Sequence, residues 1–291
     1  MYKEYHYFVT GLPALSAEDS KLMMTPLMFL HSASEHLDIA DYELLKLLFI
    51  PNDITNLTNI LLNKETWLDE CTVDKGDWLV LIAYLKELGD AKPDKQNLAK
   101  GHVPAYIVNY LHEYLFVNEP KPEYLLQRDL FTLFYDSVGA HPDKFINAWF
   151  RFDSDLKNII IALNCRKHKI PFTGQLIGNN ELTEKIATSN AGDFGLGKEY
   201  PYFDVLARLN EQTDIVEKEK GLDALRWKWI ENETFFEYFT LPRILGFFIR
   251  LRMIYRWIHL SQSVGEKRFG QVLHDLENSF EFPEEFALNK R

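Results

Sequence analysis

Asp155-Leu156-Lys157-Asn158-Ile159-Ile160-Ile161-Ala162-Leu163-Asn164-Cys165-Arg166-Lys167 is the stretch whose reading decides the fold class. Leu156, Ile159, Ile160 and Leu163 stand at i, i+3, i+4 and i+7, the spacing of one helix face. No glycine or proline interrupts the run. Asp155 and Asn158, at i and i+3, read as residues of a first helical turn, where they cap free N–H groups and suit the positive end of the helix dipole. The run closes in Arg166-Lys167-His168-Lys169. That basic cluster has two readings, complementing the negative end of its own helix or meeting an acidic partner, and Arg166, Lys167 and Lys169 are the candidate partner contacts.

The same periodicity extends outward in both directions. Trp78, Leu81, Ile82 and Leu85 form one stripe, Ile107, Tyr110, Leu111 and Tyr114 another, and Leu126, Leu130, Leu133, Phe134 and Val138 a third. Residues 27–49 read as two helices, and 143–152 as a short aromatic helix separate from the Leu156 stripe. A further helix is expected near 182–187 within the irregular region 167–200. Later helices run through Leu222, Leu225 and Trp229, along 235–260, and through Phe269 to Phe280. The lead-in Tyr5 to Leu15 reads as extended, and 92–101 as a linker. With only 14 Gly and 12 Pro in 291 residues, breakers are scarce enough for ten to twelve amphipathic helices. The expected fold is all-α, three helical bundles side by side. Their spans are 1–118 with the lead-in, 119–215 with the long loop, and 216–291.

Part of the deciding stretch has an echo. Asp53-Ile54-Thr55-Asn56-Leu57 shares with Asp155-Leu156-Lys157-Asn158-Ile159 the order acid, aliphatic, any residue, Asn, aliphatic, about a hundred residues apart. Asp53 and Asn56 are accordingly read as caps as well, with Asn52 or Asp53 starting a helix.

Composition narrows the function. A net charge of −11 lacks the basic footprint that nucleic acid or anionic lipid requires, and suits docking onto basic partner surfaces. Cys71 and Cys165 form no CxxC pair and fit a reducing cytosol as small buried hydrophobes. The apolar segment 235–260 contains Arg243, Arg250, Arg252 and Arg256, each costing roughly 2.5–3.5 kcal/mol at a bilayer centre, so a packed amphipathic helix is expected instead of a span. Arg243 and Arg250 share one side of that helix. They are either internal ion-pairing groups or a polar face shown to a partner. None of the nine His has metal-ligand spacing, so no metal is expected. Gly192-Asp193-Phe194-Gly195-Leu196-Gly197 imitates a phosphate loop without its flanking strand and Gly-Lys-Ser/Thr, and reads as a flexible surface loop. No nucleophile motif stands out, and neither a catalytic residue nor a cofactor is expected.

The stretch Asp155–Lys167 resembles a signature of the C-type subunits of V-type ATPases, the family whose eukaryotic members are the d-type subunits: an acid, Asn-Ile, an aliphatic run, then Arg and Lys. The family continues with an Ile-Pro and Gly-containing loop, and here Ile170-Pro171-Phe172-Thr173-Gly174 follows. Tyr7-Phe8-Val9-Thr10-Gly11-Leu12-Pro13 is similar to a bacterial family encoded among V-type ATP synthase subunits. Where the signature has Leu-Arg before its basic pair, this chain has Asn164-Cys165. The resemblance implies a funnel of three three-helix bundles, cytoplasmic and peripheral to the membrane through its complex. It implies a non-catalytic central-stalk rotor part that joins the central shaft to the membrane rotor ring and transmits torque. An α-helical enzyme with a cleft between bundles, and a helical adaptor for partner peptides, are the alternatives.

Overall fold

The apolar stripes fold as helices. A computed structural model describes residues 3–89, 91, 93, 103–117, 119–172, 174–197 and 199–279, the side chains of 262–279 excepted. Among them are twelve helices, one isolated β-bridge and no strand, so the protein is all-α. Among the described residues no helix is long and apolar enough to cross a membrane. The expected 92–101 linker lies almost wholly outside the described residues.

The chain divides into two compact units, residues 1–36 with 238–291, and residues 37–237. The first holds α1 (His6–Thr10), α2 (Pro26–His36) and α12 (Leu241–Ser279). Its lead-in is not extended as expected. Residues 6–10 form a short helix, which buries Phe8 and is closed by the Gly11 N–H on Phe8 O. The strand-like element is limited to the Glu4–Thr240 bridge, beside which Tyr5 N–H donates to Phe239 O at 2.7 Å. Phe29 of α2 is fully buried against Phe247 and Phe248 of α12, with ring centroids 5.5 and 4.8 Å away. Burying one such side chain is worth roughly 1.5–3 kcal/mol. α12 begins at Leu241 and not at 235, with Pro242 in its first turn, where a missing N–H is harmless. It runs unbroken through the segment expected to be a separate closing helix; Phe280, that helix's last expected residue, lies outside the described residues.

Among the described residues the second unit holds nine helices. They are α3 (Ile39–Leu47), α4 (Ile50–Leu61), α5 (Lys75–Leu88), α6 (Ala105–Val117), α7 (Glu123–Gly139), α8 (Lys144–His168), α9 (Glu181–Thr188), α10 (Phe203–Glu211) and α11 (Ile215–Glu233). α7 packs against α4, α6 and α8; α9 and α10 pack on α8; α11 packs on α10. The two helices expected over 143–152 and from Asp155 onward are one, α8. Asp143 caps its start by accepting from Ile146 N at 2.8 Å, and Lys169 ends it in a left-handed conformation, φ 57°. Asp155 reads as the start of a helix, but Asp153, Ser154 and Asp155 are all buried in mid-helix. An aromatic cluster fastens α8 to α11: Trp229 stacks on Phe152 at 5.0 Å and lies 5.5 Å from Trp149. Gly221 marks a close approach of α11 to α10, since a Cβ there would lie 2.3 Å from Leu209 Cδ2.

Candidate functional site

Asp53, Asn56, Asp155 and Asn158 are not helix caps. α4 starts at Ile50 with Pro51 in its first turn and no side-chain cap, and α8 starts eleven residues before Asp155. Asp53, Asn56 and Asn158 instead turn inward and hold distant backbone. Asn56 Nδ2 donates to Leu68 O at 2.9 Å while its Oδ1 accepts from Leu68 N at 2.8 Å. Asn158 does the same to Ile177, 3.0 Å to its carbonyl and 2.8 Å from its amide. Both asparagines have no exposed surface. A primary amide offers one acceptor and two donors in a plane, so it pairs with one residue of an extended strap as a neighbouring strand would. The sequence echo is therefore a repeated physical device.

In the first copy the device is extended. Asn52 Nδ2 donates to Glu70 O at 2.7 Å and Asn59 Nδ2 to Thr66 O at 3.1 Å. Asn52, Asn56 and Asn59 thus read the alternate residues Glu70, Leu68 and Thr66, which in extended chain point the same way. Asp53 completes the ladder. Its carboxylate accepts from Thr72 N (2.9 Å), Thr72 Oγ1 (2.6 Å) and Val73 N (3.3 Å). In the second copy the strap diverges after Ile177. Gly178, at φ +77°, donates to Thr132 Oγ1 of α7 at 2.9 Å, and Asn180 then caps α9.

A buried ionic network stands on the same helix. Asp153 accepts from Tyr135 at 2.8 Å, lies 2.9 Å from Lys157 Nζ, and meets Arg226 of α11 at 3.4 Å; Arg226 also bonds Asp223 at 3.1 Å. Burial alone would raise the Asp153 carboxyl, but Lys157 and Arg226 outweigh it and hold the group at about 2. It ties α7, α8 and α11 together.

A cleft of about 630 Å³ opens between α7, the second strap and α9, lined in part by Tyr110, Arg128, Asp129, Thr132, Phe172 and Asn179. Arg128 and Asp129 are engaged with one another. Arg128 Nε donates to Asp129 at 3.0 Å and its Nη1 to Gly174 O at 2.8 Å; Lys121 and Tyr110 also donate to Asp129, at 2.9 and 3.1 Å. Burial works against the charged Asp129, and the bonds from Arg128 and Lys121 overcome it and keep the carboxyl below its usual range. The volume suits a small ligand or a peptide side chain. Among the described residues no three His, Cys, Asp or Glu side chains are gathered as metal ligands.

A family model described as "Protein of unknown function (DUF2764)" matches residues 1–280. The chain belongs to the DUF2764 family. No curated protein and no solved structure matches it.

The candidate partner residues of this DUF2764 chain fall in different environments. Arg166 is half-buried; it donates to Gly192 O and lies 3.6 Å over the Phe194 ring, pinning a loop of its own unit. Lys167 and Lys169 are exposed. Arg250 is 9% exposed within α12, and Arg243 is half-buried. The loop read as a flexible surface element is fixed: Phe194 is buried at φ 56°, and Asp193 accepts from Gly195 N at 2.9 Å. Cys165 is buried as expected, whereas Cys71 is only half-buried. The ladder residues Asn52 and Asn59, and the Arg128–Asp129 pair, were not singled out for these roles from the sequence. Three Asn at i, i+4 and i+7 on one helix were the available signal, because Asn is a weak helix former that needs a reason to be there.

Proposed function

We propose that this DUF2764 chain is a non-catalytic coupling part of a V-type rotary ATPase or ATP synthase. In this reading it is arranged as a funnel of three bundles, set between the central shaft and the membrane rotor ring on the cytoplasmic side. It passes torque by contact. What supports the reading is the Asn158 clamp. It lies inside the stretch 155–167 that resembles the C-type signature, and there the polar residues of the motif hold a strap rigidly to a helix. A part that transmits force needs stiffness, which close packing and fully satisfied buried polar groups provide. The fixed Asp153–Lys157–Arg226 network stiffens the same helix.

The test is purification of the tagged chain from solubilised native membranes, followed by mass spectrometry. Shaft and ring subunits of a rotary ATPase are expected to co-purify with it. A complete rotary complex recovered without the chain, and the chain recovered without that complex, would refute the proposal. The cleft beside Arg128 favours a second reading, an enzyme or peptide adaptor working between helices. It ranks behind because Arg128 and Asp129 there already bond one another.

A further inference from the structure

Asp155 occupies in the second copy the place that Asp53 holds in the first, three residues before the clamping asparagine. The Asp53 carboxylate takes donors from Thr72 and Val73 of its strap. No described residue donates to Asp155. The reason is the course of the second strap: after Ile177 it turns through Gly178 to Thr132 and enters α9 at Glu181, so no strap residue reaches Asp155. Asp155 is nonetheless only 6% exposed. Its oxygens are not sealed from solvent, so the carboxylate keeps a way out.

The surroundings select a ligand. Phe152, one turn earlier on the same face of α8, meets Tyr202 edge to face at 5.4 Å, and Tyr202 meets Tyr200 at 5.9 Å. Aromatic faces beside a carboxylate favour a cation. Among the described residues the other charges nearby are accounted for. Lys185 of α9 is engaged by Glu181 at 2.9 Å and Glu199 at 2.6 Å. Arg151, one turn before Asp155 on α8, is exposed and forms no ion pair with it. Burial pushes the Asp155 carboxyl up to about 6, and Arg151 draws it only part of the way back. Burial, then the Asp155 charge, raises Tyr202 and Tyr200. The chain's charge of −11 also favours a basic partner.

We infer that Asp155, with Tyr200 and Tyr202, is a receptor for one lysine or arginine side chain of a partner protein, which supplies the donors that the chain's own strap supplies to Asp53. The site stands whether or not the rotary assignment holds.

The test uses the full chain labelled for carboxyl carbon NMR, with the Asp155 signal assigned from Asp155→Asn. The probe is N-acetyl-arginine methylamide, and the isosteric neutral control is the citrulline analogue. The arginine probe is expected to lower the pH midpoint of the Asp155 carboxyl saturably by about one unit, a tenfold preference for the charged form. It should also move the Tyr202 ring signals, and the control should do neither. In Asp155→Asn the Tyr202 response should vanish. Equal effects of probe and control would overturn the inference. So would a response that appears only in Arg151→Gln, since Asp155 would then be served by its own neighbour. Methylguanidinium saturating at the same concentration as the capped probe would also overturn it, by assigning the site to a free cation.

Discussion

Replacing Asp155 by Asn should make the protein more stable, a reversal of the usual effect of altering a buried residue of a repeated motif. A carboxyl displaced by burial from 3.8 to about 6 carries a folding penalty of about 3 kcal/mol once ionised. The sign follows from proton binding. Between about pH 4 and pH 6 the folded chain holds a proton that the unfolded chain releases, so stability falls as pH rises through that window, and the penalty is complete above it. Asn keeps the shape, removes the charge and retains about 1 kcal/mol of its own burial cost. The net gain is then about 2 kcal/mol at pH 8, and it falls through zero to a loss of about 1 kcal/mol once the pH is below about 4. Denaturant unfolding followed by tryptophan fluorescence suits the measurement, because Trp67, Trp78, Trp149, Trp227 and Trp229 all lie in the unit that holds Asp155. An Asn variant less stable than wild type at pH 8, or a gain that does not vary with pH, would refute the reasoning.

Other outcomes follow from the same geometry. Asn158→Ala removes two hydrogen bonds and strands the buried N–H and C=O of Ile177, so a loss of about 2–4 kcal/mol is expected, with faster hydrogen exchange at the Ile177 amide. Asp153→Asn removes the anion shared by Arg226 and the half-buried Lys157, while Arg226 keeps Asp223, and should cost about 2–3 kcal/mol at pH 7. Because that carboxyl is held at about 2, its contribution is present above the unfolded value near 3.9 and is lost as pH falls through about 2, so the difference between variant and wild type should close in acid. Gly221→Ala gains about 1 kcal/mol of helix propensity but pushes a methyl into Leu209; the expected result is a net loss of about 1 kcal/mol, recovered in the double variant with Leu209→Ala as a coupling in a mutant cycle.

The helices were legible because their information is local. The Leu156 and Ile159 positions that set the stripe are fully buried, and the Trp78, Ile82 and Leu85 stripe is buried too. The echo at Asp53 and Asp155 was equally visible, but its role was misread. A polar pair at i and i+3 looks the same whether it caps a helix or faces a strap, and the difference lies in partners 12 and 19 residues away. The Asp153–Arg226 pair spans 73 residues, beyond any periodicity. The α8 boundary failed for a similar reason: Asp155 reads as a helix start, and the contacts that hold Asp153 inside the helix come from α7 and α11.

The unit built from α1, α2 and α12 takes its pieces from two segments about two hundred residues apart. During synthesis the Phe29 ring leaves the ribosome roughly two hundred residues before Phe247 and Phe248 exist to cover it. Residues 37–237 can assemble in that interval, while α1 and α2 wait with Phe29 uncovered. Exposure to chaperones and proteases should therefore concentrate in α1 and α2 of the nascent chain, and end once α12 emerges.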